Sequence, residues 1–164
     1  MARWQEFEQA EPEMAAGALK LLFQHGVGLG YLATNGTNGF PRLHPFCPTH
    51  AGGGLYAFVV PSPKRLDLLR DGRCAIHAFP AEAVDDEFFA QAIARRIDDG
   101  ATRVMAKQAY TAMGATSSDD EILFEFDLQR CLLATYGPRP SWPPVYTKWS
   151  APWPRESATN GPEH

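Results

Sequence analysis

The chain has 164 residues, 45% hydrophobic and 21% charged, which is enough apolar content for one domain with a real core. Its formal net charge of −4, with no long block of one sign, excludes the broad basic face that nucleic-acid binding requires but leaves room for a local cationic pocket. Three widely spaced cysteines (Cys47, Cys74, Cys131) without a CxxC exclude a disulfide framework and point to reduced thiols in a cytoplasmic protein.

Residues 1–10 read as a mixed lead-in, acidic and without the apolar core of a signal peptide. No run approaches the ~18 apolar residues of a membrane span, so no membrane partner is expected. From Pro12 to His25, Met14, Ala18, Leu21 and Leu22 recur at helical spacing, with Pro12 in the first turn and Gly26 as the stop. This helix is expected to lie across an open end of a sheet. Leu29 to Thr34 is a short strand, and Asn35-Gly36 and Asn38-Gly39 turn it into a second, from Arg42 to Thr49. Pro45 and Pro48 make that second strand an edge or bulged strand, leaving backbone groups free for a ligand. Gly52 to Gly54 turn the chain into an apolar strand, Leu55 to Val60.

Pro61 and Pro63 form an extended corner, Lys64 to Arg70 a short helix, and Asp71-Gly72 a turn into the strand Cys74 to Phe79. Residues 86–98 have the composition of a helix and the alternation of a strand, and their own pattern leaves both open. Ala101 to Met113 reads as a helix, and Ile122 to Phe126 and Cys131 to Tyr136 as two strands around a turn at Asp127-Leu128. From Gly137 onward prolines alternate with Trp142, Tyr146, Trp149 and Trp153, a composition that packs in extended form over the domain or a partner subunit. The domain is thus expected over residues 1–150, with an arm at 151–164 and disorder from 155.

The residues with the most chemistry are Ser62, Lys64 and Arg65, a hydroxyl and two cations at the end of an apolar strand. Such a corner suits the phosphate of a flat, half-buried cofactor, since charge-assisted hydrogen bonds hold phosphate well. The same residues also suit a solvated basic turn that caps the following helix. Arg42 and His44 share one strand face, and His44 is either a proton donor or a hydrogen-bonded structural histidine. His77, inside CAIHAF, reads as a core or interface histidine. His44, Cys47 and His50 have a metal-like spacing, but a regular strand points position 47 away from the other two, so no metal centre is expected. Gly26, Gly28 and Gly30 precede a strand and lack the Rossmann spacing.

Taken in order, ATNGTNGFPRLHPF, LYAFVVPSPKRLDLLRDGRCAIH, DDEFF and ILFEFDLQRCLLATYG resemble the pyridoxamine 5′-phosphate oxidase-like proteins, which are FMN-binding split barrels. The likeness spans roughly residues 20–150 and is closest to their small flavin-binding branch. It implies a mainly β fold with flanking helices (α+β): a six-stranded antiparallel Greek-key split barrel, with residues 86–98 as a strand. It also implies a homodimer with one FMN per subunit at the interface. Under this likeness Arg42 reaches the phosphate, and Ser62, Lys64 and Arg65 cradle it. The backbone of Phe58 and Val59 and the strand around Pro45 border the flavin ring. His44 faces the ring or the substrate, and Trp149 stacks on the flavin or closes the pocket. The chain departs from the oxidase in three places. Pro63-Lys64 replaces a basic pair, Cys47 stands where the second strand ends in lysine, and PVYTKWSAPWPRES lacks the substrate-binding Arg/His pattern. The expected function is flavin-dependent oxidoreduction of a small molecule. The alternatives are a deazaflavin cofactor on the same fold and a non-enzymatic flavin- or haem-binding module.

Overall fold

A computed structural model describes residues 2–152, so the tail expected to be disordered lies outside the described residues. In chain order the elements are α1 (Trp4–Ala10), α2 (Pro12–Leu22), β1 (Gly30–Asn35), β2 (Pro41–Phe46), β3 (Pro48–Ala51) and β4 (Gly54–Val59). They continue with α3 (Pro63–Arg70), β5 (Arg73–Ala78), β6 (Glu87–Ile97), α4 (Gly100–Ala112), β7 (Ile122–Thr135) and β8 (Val145–Ser150).

The strands form one antiparallel sheet in the order β2-β1-β5-β6-β7-β4-β3, with β8 added to β7. β2 and β3 stand at opposite ends of this order, yet only Cys47 separates them in the chain. The sheet therefore curls until its two edges meet. Among the described residues there are eight strands, not six. The expected second strand breaks at Cys47, before Pro48, whose ring nitrogen cannot donate to a ladder. The Trp/Pro-rich segment after Gly137 supplies the other unexpected strand: Val145–Ser150 pairs with residues 130–135 of β7.

Alternation settles residues 86–98 as strand β6. Phe88, Ala90, Ala92 and Ala94 are buried on one face, and Phe89, Gln91 and Ile93 lie on the other. β7 also differs from expectation, running unbroken through Asp127-Leu128. β6 pairs along nearly its whole length, and an extra residue at Gln129 is absorbed as a bulge opposite Gln91 and Ala92. On its other side β7 meets β4 at residues 122–125, Ala2 at Leu128, and β8 beyond.

The lead-in is a helix. α1 buries Trp4 and Phe7 completely, and Phe7 lies 5.0 Å from the ring of Trp149. With seven residues and two inward positions, α1 is too short to show a period in sequence. α2 ends at Leu22, three residues before the expected His25. Gly26 turns the chain with a positive φ of 82° in open space, whereas Gly28 serves close packing: a Cβ there would lie 1.9 Å from the carbonyl oxygen of Pro48, a backbone atom at the β2–β3 break. Gly28→Ala is expected to cost about 1–3 kcal/mol as an overpacking substitution. Thermal unfolding checks this, and an unchanged melting temperature would show that the break yields freely.

Candidate functional site

β4 is buried at every position and carries the chain to the Pro61 corner. There Ser62 starts α3: its Oγ accepts the Arg65 backbone N–H at 3.3 Å and donates to the Val60 carbonyl at 2.9 Å. Pro63 occupies the first turn, which aims Lys64 and Asp67 back toward β1 and β2. In the β1–β2 register Thr34 faces Arg42 and Leu32 faces His44. Opposed residues project from the same side of a sheet, so Arg42 and His44 share the inward side with buried Leu32 and Thr34.

Asp67, only 2% exposed, is the hub. It accepts from Thr34 Oγ1 at 3.0 Å and from Arg70 Nη1 at 3.2 Å. Arg42 Nε stands 3.1 Å from Asp67 Oδ2, near enough for ion pairing but misaligned for a hydrogen bond, so this buried donor is left unsatisfied. Arg70 also donates to the Asn35 carbonyl. Above the hub, Lys64 Nζ donates to the Pro45 carbonyl at 3.2 Å. Burial lowers the pKa of this ammonium, opposed by the nearby Cys47. His44 Nε2 is buried without a partner. Burial, then Lys64 and Arg42, hold its imidazole below the ordinary value, with Asp67 opposing.

Arg42, His44 and Lys64 thus converge as a cationic cradle with unmet donors. Beside it the sheet is split. β3 pairs with β4 only as far as Pro48↔Ala57, whereas β4 continues with β7 to Val59. Among the described residues, the backbone of Phe58 and Val59 has no strand partner on that side. The Phe58 side chain turns away, 5.3 Å from the Tyr110 ring with the Arg103 guanidinium over it, and Val59 enters the main core.

The other candidates lie elsewhere or are engaged. Ser62 serves as the α3 cap. Arg65 Nη1 donates to the Asp120 carbonyl at 2.7 Å, away from Arg42 and His44. Trp149 is buried on β8 against Phe7. His77 places Nδ1 2.7 Å from the Ala78 carbonyl, on the outward face with Tyr31 and Phe89. Burial pushes the thiols of Cys74 and Cys131 up to about 12. Asp67 and Thr34 were not among the expected site residues. The signal was present: Asp67 is three residues after Lys64 on a helix, a spacing that shares a face. Among the described residues no cluster of three or more His, Cys, Asp or Glu is placed to hold a metal ion, and no helix is long and apolar enough to cross a membrane.

No protein-family model and no curated protein sequence matches the chain. Solved structures do. A NimC/NimA family protein from Clostridium acetobutylicum has a TM-score of 0.64 at 17% identity, covering 88% of this chain and 98% of that one. A protein from Clostridium acetobutylicum related to general stress protein 26, of the pyridoxinephosphate oxidase family, has a TM-score of 0.58 at 12% identity and covers 82% and 92%. A heme binding protein from Mycobacterium smegmatis has a TM-score of 0.61 at 19% identity over 82% of this chain, which spans 57% of that protein. The curled sheet, split between β2 and β4, is therefore the split-barrel fold of the pyridoxamine 5′-phosphate oxidase-like and NimC/NimA proteins.

Proposed function

We propose that the chain is a homodimeric cytoplasmic flavoprotein that binds FMN through Arg42, His44 and Lys64 and transfers electrons or hydride to or from a small molecule. The observation that carries this reading is the buried, unpartnered Nε2 of His44 between two cations, beside a sheet edge free at Phe58 and Val59. A phosphate monoester offers acceptors to all three side chains, and the free edge offers amides and carbonyls to a planar ring. Lys64, reaching the Pro45 carbonyl, supplies a cation near the strand end where the oxidase has lysine and this chain has Cys47. When bound, the flavin supplies the redox chemistry. The protein holds its phosphate with Arg42 and Lys64 and keeps Arg42 in place through Asp67.

The dimer is supported by the outward face of the sheet. Tyr31, His77, Phe89 and Leu132 form one row across β1, β5, β6 and β7. Ala33 and Ala75 form the next, beside a cavity of ≈ 380 Å³. A second copy would cover this half-apolar surface, and a monomer by light scattering at micromolar concentration would remove that part of the reading.

The site is tested by titrating the protein with FMN. Arg42→Ala/Lys64→Ala is expected to weaken binding about 100-fold or more, from two charge-assisted contacts of about 1.5–3 kcal/mol each. Arg65→Ala should leave affinity nearly unchanged. An unaltered affinity in the double variant, with its circular dichroism intact, overturns the cradle. Mass spectrometry of any co-purified cofactor separates FMN from a deazaflavin, which would present its phosphate to the same residues. A haem-binding reading has one specific support: Nδ1 of His77 is held by a backbone carbonyl, the arrangement that leaves Nε2 available as an axial ligand. A Soret band lost in His77→Ala would favour it.

A further inference from the structure

We propose that His44 takes up a proton when the cradle binds a phosphomonoester, which makes this single imidazole the pH sensor of ligand affinity. The inference rests on the phosphate reading of the cradle. Nε2 of His44 is buried and meets no acceptor or donor. The charged groups facing it are Arg42 from β2 and Lys64 and Asp67 from α3. β1 presents Leu32 directly opposite and the neutral hydroxyl of Thr34 next to it. In the unliganded cradle two cations outweigh one carboxylate, and burial adds to them, so the imidazolium is disfavoured and the ring gives up its proton at a lower pH than an ordinary histidine does.

A phosphate dianion reverses this balance. It lies against the same cations, offsets their repulsion and, as a dianion beside Nε2, favours the imidazolium over either neutral tautomer, although a neutral Nε2–H ring can also donate to it. The pKa of His44 is therefore higher in the complex than in the free protein. Between those two values each binding event takes up a proton from solvent. Through His44, affinity rises as pH falls across that window and does not change with pH above or below it. The limiting slope for one proton is tenfold per pH unit. The ligand's own second ionisation, near pH 6, acts in the opposite direction, because a protonated phosphate carries less charge. The effect of His44 is thus the difference between the protein and a variant that cannot titrate.

The experiment is isothermal calorimetry of FMN binding, repeated in buffers of different ionisation enthalpy, from pH 6 to 8. It compares the wild-type protein with His44→Asn and His44→Gln, and riboflavin serves as the probe without phosphate. The expected result is a larger proton uptake per FMN in the wild type than in either variant, and an affinity advantage over them that grows toward lower pH. Riboflavin should show no such uptake. Equal proton uptake in wild type and both variants overturns the role of His44 while leaving the phosphate cradle standing. Failure of FMN to bind at any pH, or riboflavin binding as tightly as FMN, overturns the cradle itself and this inference with it.

Discussion

Trp4→Ala is expected to lower unfolding free energy by about 3–5 kcal/mol, the range for removing a large aromatic ring from a packed core. The ring is fully buried, 5.3 Å from Phe7, 5.6 Å from His50 and 6.2 Å from Phe88 between centroids. It joins a seven-residue helix to the sheet, and so short a helix has no stability of its own in water. The other ties are the Gln5 N–H to the Gly53 carbonyl at 2.9 Å, the paired bonds between Ala2 and Leu128, and Arg3 Nε on the buried Glu125 at 2.7 Å. Losing the ring should release α1 and expose Phe7 and the Trp149 face it covers. At roughly 2–4 °C per kcal/mol, melting should drop by about 10 °C. Trp4→Phe should cost less, because the indole Nε1 is buried without a partner and phenylalanine removes that orphan. Urea unfolding followed by tryptophan fluorescence and circular dichroism gives the numbers. A loss below about 1 kcal/mol for the alanine variant would mean that α1 is held by its backbone bonds and not by Trp4.

Asp67→Asn is the second large effect, expected at about 1–3 kcal/mol. Only the carboxylate is fully buried; the two arginine side chains it serves are each 39% exposed, so water compensates part of the lost pairing. Arg42 stands at 3.1 Å and Arg70 at 3.2 Å, with the Thr34 hydroxyl at 3.0 Å. Thr34→Val should cost about 1 kcal/mol, the net worth of an ordinary hydrogen bond. The double variant should cost less than the sum, since both substitutions remove the same contact. Strict additivity in urea titrations would show that Thr34 and Asp67 do not act together. The same carboxylate holds the cradle's arginine, so Asp67→Asn should also loosen FMN binding even though it removes a negative charge from the site. Tighter binding would mean that repulsion by Asp67 outweighs its hold on Arg42.

Much of the site was legible because it is local. The Ser62-Pro63 corner, the apolar strand before it and the helix after it depend on neighbours a few residues away. The period-two placement of Arg42 beside His44 also held on the real strand. What sequence could not rank was the basic residues. Arg65 sits next to Lys64 but is drawn to the Asp120 carbonyl, more than fifty residues along the chain. The corner's hydroxyl also proved to be a helix cap. Asp67, in plain view in the same motif, acquires its meaning only when Thr34, Arg42 and Arg70 meet it in a buried place.

The fold divides the same way. The alternation of β1, the buried run of β4 and helices α2 to α4 were determined by the sequence alone, because periodicity, caps and turn residues are short-range properties. The tertiary structure decided the break of one strand into β2 and β3, the unbroken course of β7, and the docking of α1 and β8. Two of these depend on partners distant in the chain: Asp127-Leu128 stays extended because β6 and Ala2 pair with it, and α1 docks on residues beyond position 50, whereas at Pro48 the chain leaves β1 for the neighbouring hairpin strand β4. The cradle exists for that reason. It lies where closing the sheet brings the end of β2 under the start of α3, and only closure buries His44 between Arg42 and Lys64.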